Sequence, residues 1–140
     1  MTVSRDSEQL EEMNKLLEEA RNKPYKIGEH DCALFVTDIM RVFSGRDYSK
    51  AFRGKYKTQT GALKLIKRLS GGEESLREAA TNVFGIDPLK PAWAMRGSPV
   101  LYKEDGQEHL GVSTGTHAAV LHEDGLKFIP LSDCECCWNI

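Results

Sequence analysis

Residues 98–130, SPVLYKEDGQEHLGVSTGTHAAVLHEDGLKFIP, decide the fold class of this 140-residue chain. Apolar and polar residues alternate in this stretch or form short apolar runs, a pattern that predicts β-strands. The predicted strands are residues 98–102, 109–114, 118–122 and 126–130. Residues typical of turns separate them at positions 105–106, 115 and 124–125. Because such short turns join antiparallel neighbours, the stretch predicts a four-stranded antiparallel meander.

Helical patterns precede this meander. In the first, apolar residues recur at helical spacing from Leu10 to Ala20. Asp6 and Gln9 have the spacing of a capping box at its start. Pro24 then ends the helix, since proline cannot continue one.

Three further helices are predicted before the strands. Asp31 is a good N-cap for the second helix, which Gly45 ends. Thr60 is the predicted cap of the third, and a weaker fourth spans about residues 73–83. Helices followed by a meander predict an α+β fold, with N-terminal helices packed on a C-terminal antiparallel β meander. No repeat or linker divides residues 1–140, so we predict a single domain.

Composition excludes several classes of function. The net charge is −2, with 19 basic and 21 acidic residues, and the basic residues are scattered, so we expect no nucleic-acid partner. No apolar run approaches the roughly 20 residues that span a bilayer, so we expect no membrane partner. Residues 1–15 are acidic and amphipathic without an apolar core, which predicts no signal peptide and synthesis in a cytoplasm.

The four cysteines fall into two groups. Cys32 stands alone, whereas Cys134, Cys136 and Cys137 crowd the C-terminus. Disulfides are the less expected use in an intracellular chain. The C-terminal trio lacks a second pair of ligands at zinc-site spacing, so we expect partly buried or redox-sensitive thiols and no metal or other cofactor.

Cys32 is the candidate nucleophile, because it falls in the first turn of the second predicted helix. The exposed N–H groups and positive dipole end of a helix start favour a thiolate over a thiol. The same N–H groups could stabilise the oxyanion formed when a carbonyl is attacked. The alternative is a structural cysteine, since Cys32 also lies on the apolar stripe of its helix and free cysteines are often buried.

Residues 28–35, GEHDCALF, resemble the loop-to-helix segment of NlpC/P60 hydrolases, a papain-like family in which an Asp-Cys pair opens the central helix. A larger part of the chain is similar to a small phage and prophage family, a domain of unknown function whose genes lie with tail genes. The matching positions are residues 31–35, 52–56, 60–62, 96–97, 110–112 and Trp138. The resemblance thus covers nearly the whole chain and implies a papain-like α+β fold.

The NlpC/P60 resemblance implies a base for Cys32. In that family the catalytic histidine starts a strand and is followed by an aliphatic residue, Gly and another aliphatic residue, as in residues 109–115, HLGVSTG. His109 is therefore the candidate base, and otherwise it is a polar residue at a strand start. A third polar residue from the next strand orients the imidazole in this family. His122 is the candidate here, with a solvated residue before a turn as its alternative.

The resemblance also implies a substrate and a setting. Asp31, Arg53 and Tyr56 are the candidate substrate-binding residues, although Asp31 can be a capping residue and Arg53 can anchor the irregular loop instead. The implied function is a cysteine hydrolase that cleaves an amide bond, in a peptidoglycan stem peptide or related substrate. The implied setting is a phage or prophage tail, made in the bacterial cytoplasm. The alternative is an inactive tail-assembly or tail-tip protein that keeps the fold and binds other tail proteins.

Overall fold

The structure is a computed structural model, and it describes residues 6–140. Within the described residues, four α-helices precede five β-strands, which confirms the predicted α+β fold with its helices N-terminal to the strands. The helices are α1 (Ser7–Asn22), α2 (Cys32–Ser44), α3 (Gln59–Leu69) and α4 (Leu76–Phe84). Short 3₁₀ turns lie at Tyr48–Ala51, Pro91–Trp93 and Leu131–Asp133. None of the helices in the described residues is both long enough and apolar enough to span a membrane.

The strands form one antiparallel sheet in the order β4-β3-β2-β1-β5. They are β1 (Pro99–Glu104), β2 (Gln107–Ser113), β3 (His117–His122), β4 (Gly125–Pro130) and β5 (Cys136–Cys137). The four predicted strands are therefore confirmed, with small differences at their ends. The sheet also has a fifth strand that was not predicted, a two-residue β5 on the free edge of β1.

The two faces of the sheet pack against different parts of the chain. On one face, Leu110, Val112 and Leu121 join a core cluster with residues of α1, α2 and α4. On the other face, Val100 and Val120 pack with the C-terminal segment that contains Cys134 and Cys137. The helix that carries Cys32 thus lies on the first face.

The helix boundaries agree with the prediction in part. The capping box of Asp6 with Gln9 and the left-handed Gly45 after α2 are both confirmed. The prediction of Thr60 as the cap of α3 is wrong, because Thr58 accepts a hydrogen bond from the Gly61 N–H at 3.0 Å. Both threonines have side chains that suit an N-cap. Gly61 lies close to Tyr56, and the cap lies two residues earlier than predicted.

Two predictions about the whole chain remain predictions. The first is that residues 1–140 form a single domain. The second is the absence of a signal peptide, which was inferred from residues 1–15. Residues 1–5 of that stretch lie outside the described part of the chain.

Candidate functional site

The start of α2 is held by Asp31, as the sequence predicts. Its side chain accepts hydrogen bonds from the Leu34 N–H at 3.0 Å and from the Gly28 N–H at 2.9 Å. Asp31 is 4% exposed, so these bonds are made away from water. Cys32 is the first residue of the helix, so the Asp31 cap fixes the position of the Cys32 Cα and Cβ atoms.

Tyr56 connects the irregular loop before α3 to this cap. Its hydroxyl donates a hydrogen bond to Oδ2 of Asp31, the oxygen that also accepts from the Gly28 N–H. Burial and that bond to Asp31 raise the pKa of Tyr56, so the phenol keeps its proton. Gly28 fits closely beneath the same loop, since a Cβ there would lie 2.5 Å from the Tyr56 carbonyl oxygen. Asp31 and Tyr56 thus fix the helix start through contacts inside the protein.

The Cys32 thiol is neutral in this environment. Burial raises its pKa to about 11, and the carboxylate of Asp31 adds to the increase. The backbone N–H groups of Leu110, Ala33 and Cys32 oppose this change but do not outweigh it. The expectation that the helix start alone would favour a thiolate is therefore wrong for the free protein. The role of these N–H groups in stabilising an oxyanion stays a prediction.

The hydrogen bond from the Leu110 backbone places Cys32 beside β2, the strand that carries His109. Strands β2 and β3 pair at Val112–Ala119 and Ser113–Ala118, and towards Leu110 this ladder has ended. The Leu110 N–H lies outside this ladder, and its hydrogen bond to the Cys32 sulfur lowers the pKa of the thiol. His109 directly precedes Leu110, and its side chain leaves the strand on the opposite face. The unpaired stretch between β2 and β3 next to Leu110 forms an opening beside Cys32.

His109 and His122 belong to a group of polar and aromatic side chains on three neighbouring strands. Tyr102 is paired with His109 in the β1–β2 register, and their rings stack with centroids 5.1 Å apart. The Tyr102 hydroxyl lies 2.9 Å from Nε2 of His122, and the two imidazoles are 5.7 Å apart. Glu104 approaches the same Nε2 at 3.4 Å. The structure therefore brings both predicted histidines together.

His109 has the protonation state that a general base requires. Burial lowers its pKa, and the neighbouring His122 lowers it further, while Glu104 acts in the opposite direction. The imidazole is consequently neutral at pH 7 and can accept a proton. A neutral thiol beside Leu110 and a neutral imidazole on the preceding residue are compatible with nucleophilic chemistry assisted by a base.

An open groove leads to this region from the surface. It has a volume of about 360 Å³ and lies between the end of α1 and the β3–β4 turn. Tyr25 and His122 both line it. Burial and the nearby Cys32 raise the pKa of Tyr25. The groove therefore borders the site at Tyr25 and His122.

Arg53, predicted to bind substrate, is used within the fold. Its guanidinium contacts the Asp38 carboxylate at 2.7 Å and the Ser49 hydroxyl at 2.9 Å. These contacts match the alternative that Arg53 anchors the loop. Asp31 and Tyr56 likewise have internal partners, so substrate binding by these three residues stays a prediction.

The C-terminal cysteines are packed beside one member of the site, since Cys134 and Cys137 share a buried cluster with Tyr102. Cys134, Cys136 and Cys137 are all buried, and burial raises the pKa of each thiol to about 11. Within residues 6–140, no three His, Cys, Asp or Glu side chains are grouped so that they could hold a metal ion. The trio forms part of the packing around β5.

Sequence reasoning missed three residues of the site: Tyr25, Tyr102 and Glu104. Tyr102 could have been found, because a two-residue turn at positions 105–106 pairs it with His109. Glu104 lies at the end of the same strand, beside that turn. Tyr25 comes from the loop after α1, and its position depends on tertiary packing.

The comparisons with known proteins give one result. A family model described as a domain of unknown function, DUF6950, matches residues 4–140. The chain belongs to this family. No curated protein and no solved structure is significantly similar to the chain. The family description names no activity, so the link to NlpC/P60 hydrolases and to phage tails is a proposal.

Proposed function

We propose that this chain is a cysteine hydrolase of NlpC/P60 type that cleaves an amide bond. Cys32 is the nucleophile, His109 is the general base, and His122 supports the base. The observation that carries the proposal is the hydrogen bond from the Leu110 N–H, which lowers the pKa of the Cys32 thiol. It brings the capped start of α2 next to the residue that follows His109. The neutral state of His109 supports the same assignment.

The reaction needs the proton of the thiol to move as the sulfur attacks. The Cys32 sulfur bonds to the carbonyl carbon while its proton passes to His109. The N–H groups at the start of α2 stabilise the oxyanion. When the C–N bond breaks, His109 returns the proton to the leaving amine. Water then attacks the thioester with His109 again as base, which releases a carboxylate and restores the thiol.

The proposed substrate is a peptidoglycan stem peptide or a related amide, and the proposed setting is the tail of a phage or prophage. The support for both is the resemblance of residues 28–35 and 109–115 to NlpC/P60 hydrolases, and of the chain to a tail-associated family. In this setting the protein is made in the bacterial cytoplasm and acts locally on the cell wall from the tail.

The experiment is incubation of the purified protein with peptidoglycan and measurement of newly released amines. We expect release by the wild type, and loss of it in Cys32→Ala and His109→Ala. Cys136→Ala is the matched control, since it removes a buried thiol of β5 from a core cluster that does not contain Tyr102, and it should keep the activity. Equal release by wild type and Cys32→Ala would show that Cys32 is not the nucleophile.

The second candidate is an inactive tail-assembly or tail-tip protein that keeps the fold. The observation in its favour is the raised pKa of Cys32, which leaves the thiol unreactive at rest. This candidate predicts no amine release from wild type. It also predicts that a prophage deleted for the gene forms complete tails again when supplied with Cys32→Ala.

A further inference from the structure

The ring of Tyr102 stacks on the candidate base, His109. It stands directly opposite His109 in the antiparallel register, so the two side chains leave the sheet on the same face. Their rings lie 24° from parallel with centroids 5.1 Å apart. Tyr102 is 4% exposed, so its ring is itself held by packing. A stack against a fixed ring restricts rotation of the His109 imidazole.

The hydroxyl of Tyr102 is hydrogen-bonded to the other histidine, His122. Burial, with the nearby Cys32 thiol, raises the pKa of this phenol, so it keeps its proton throughout the neutral range. A buried hydroxyl requires an acceptor, and Nε2 of His122 lies 2.9 Å away. An O–H that donates to Nε2 requires the His122 ring to carry a proton on Nδ1 and none on Nε2. Glu104, half exposed at 3.4 Å, is the partner of Nε2 when the imidazole is protonated.

The two histidines meet each other less directly. Their rings are 5.7 Å apart and tilted by 59°. By contrast, Tyr102 contacts both, with its ring on His109 and its hydroxyl on His122.

We propose that Tyr102 is the positioning residue for His109, and that His122 acts on His109 through Tyr102. The role rests on the proposed hydrolase function, in which His109 must keep one orientation towards the opening beside Cys32. Tyr102 holds the His109 imidazole in one orientation, and His122 holds the Tyr102 hydroxyl.

The test compares Tyr102→Phe, which keeps the ring and loses the hydroxyl, with Tyr102→Leu, which loses the ring. Nitrogen-15 spectra of the histidine side chains are recorded for both. In Tyr102→Leu we expect the His109 ring protons to move downfield, because they leave the shielding face of the phenol. In Tyr102→Phe we expect His122 to change from the Nδ1–H tautomer to the Nε2–H tautomer, which donates to Glu104. Tyr48→Phe, a buried tyrosine elsewhere in the core, should change neither.

The kinetic arm uses amine release from peptidoglycan. In Tyr102→Leu, kcat should fall about 10- to 100-fold with KM nearly unchanged, because a misplaced base slows chemistry and not binding. Tyr102→Phe should show a smaller loss of kcat. Unchanged His109 signals and unchanged kcat in Tyr102→Leu would overturn the proposal. If that variant does not fold, an unchanged His122 tautomer in Tyr102→Phe overturns it.

The same experiment separates failure of the inference from failure of the proposed function. If Cys32→Ala and His109→Ala release as much amine as the wild type, the hydrolase function fails. The nitrogen-15 spectra then still show whether Tyr102 holds the two histidines. If those variants are inactive and Tyr102→Leu is fully active, the hydrolase function stands and the role of Tyr102 fails.

Discussion

At the scale of single residues, Cys32 combines two opposing influences. The start of a helix supplies N–H groups that stabilise a thiolate, whereas enclosure by protein atoms favours the neutral thiol. Burial dominates, and the pKa rises to about 11. A thiol in this state needs a base at the moment of attack, so reactivity depends on His109 more than in a site with a preformed ion pair.

The pH dependence of Cys32 alkylation follows from this pKa. At pH 7 a group with a pKa of about 11 is ionised to only about one part in 10⁴. We expect iodoacetamide to label Cys32 in the folded protein much more slowly than in the denatured chain, with a rate that rises about tenfold per pH unit between pH 8 and 10. Mass spectrometry of the peptides separates Cys32 from the other three cysteines. Rapid labelling of Cys32 at pH 7 would show that the thiolate forms already in the free protein.

At the scale of secondary-structure elements, the first turn of α2 depends on one carboxylate. Asp31→Ala removes the partner of the Leu34 and Gly28 N–H groups and of the Tyr56 hydroxyl. We expect the free energy of unfolding to fall by about 2–4 kcal/mol, since a cap is lost and buried donors are left without an acceptor.

Urea unfolding measures this loss. Thr58→Ala is the matched control, because Thr58 caps α3 at the surface with a single bond to the Gly61 N–H. It should cost only about 1 kcal/mol. Equal losses in the two variants would mean that Asp31 acts as an ordinary cap and that its bonds to Gly28 and Tyr56 contribute little.

The elements that sequence could predict are those with local causes. The capping box at Asp6 and the helix start at Asp31 depend on side chains within three residues of the backbone groups that they bind. Strand β5 could not be predicted, because two residues carry no period and their pairing is set by β1. In the site, Cys32 was found from its position at a predicted helix start, and the histidines were found from the resemblance. The internal partners of Arg53 were not, since Asp38 lies 15 residues away.

The loop before β1 contains a glycine, Gly97, whose replacement would displace the Phe43 side chain of α2. Gly97 has a φ of +90°, and a Cβ there would lie 2.1 Å from the Phe43 ring. We expect Gly97→Ala to lower the melting temperature far more than Gly106→Ala. Gly106 has a similar φ of +78° but open space around it, so its variant isolates the backbone strain. Similar melting temperatures for both variants would show that Phe43 can move aside without cost.

At the scale of the whole molecule, the three C-terminal thiols make stability sensitive to alkaline pH. Cys134, Cys136 and Cys137 have pKa values raised to about 11 in the folded protein, against 9 for the ordinary thiol. Between these values the unfolded chain has lost protons that the folded protein keeps. The free energy of unfolding therefore falls as pH rises from 9 to 11, by up to about 2–3 kcal/mol for each buried thiol. Below pH 8 these groups should have no effect.

Thermal unfolding from pH 7 to pH 11, under reducing conditions, measures this fall. Cys137→Ala is the informative variant, because Cys137 is fully buried at the junction of β5 with β1. Its removal creates a small cavity that lowers stability equally at every pH. It also removes one titrating thiol, so the decline between pH 9 and 11 should be shallower than in the wild type by up to one thiol's share. Parallel curves for wild type and variant would show that Cys137 ionises in the folded protein as readily as in the unfolded chain.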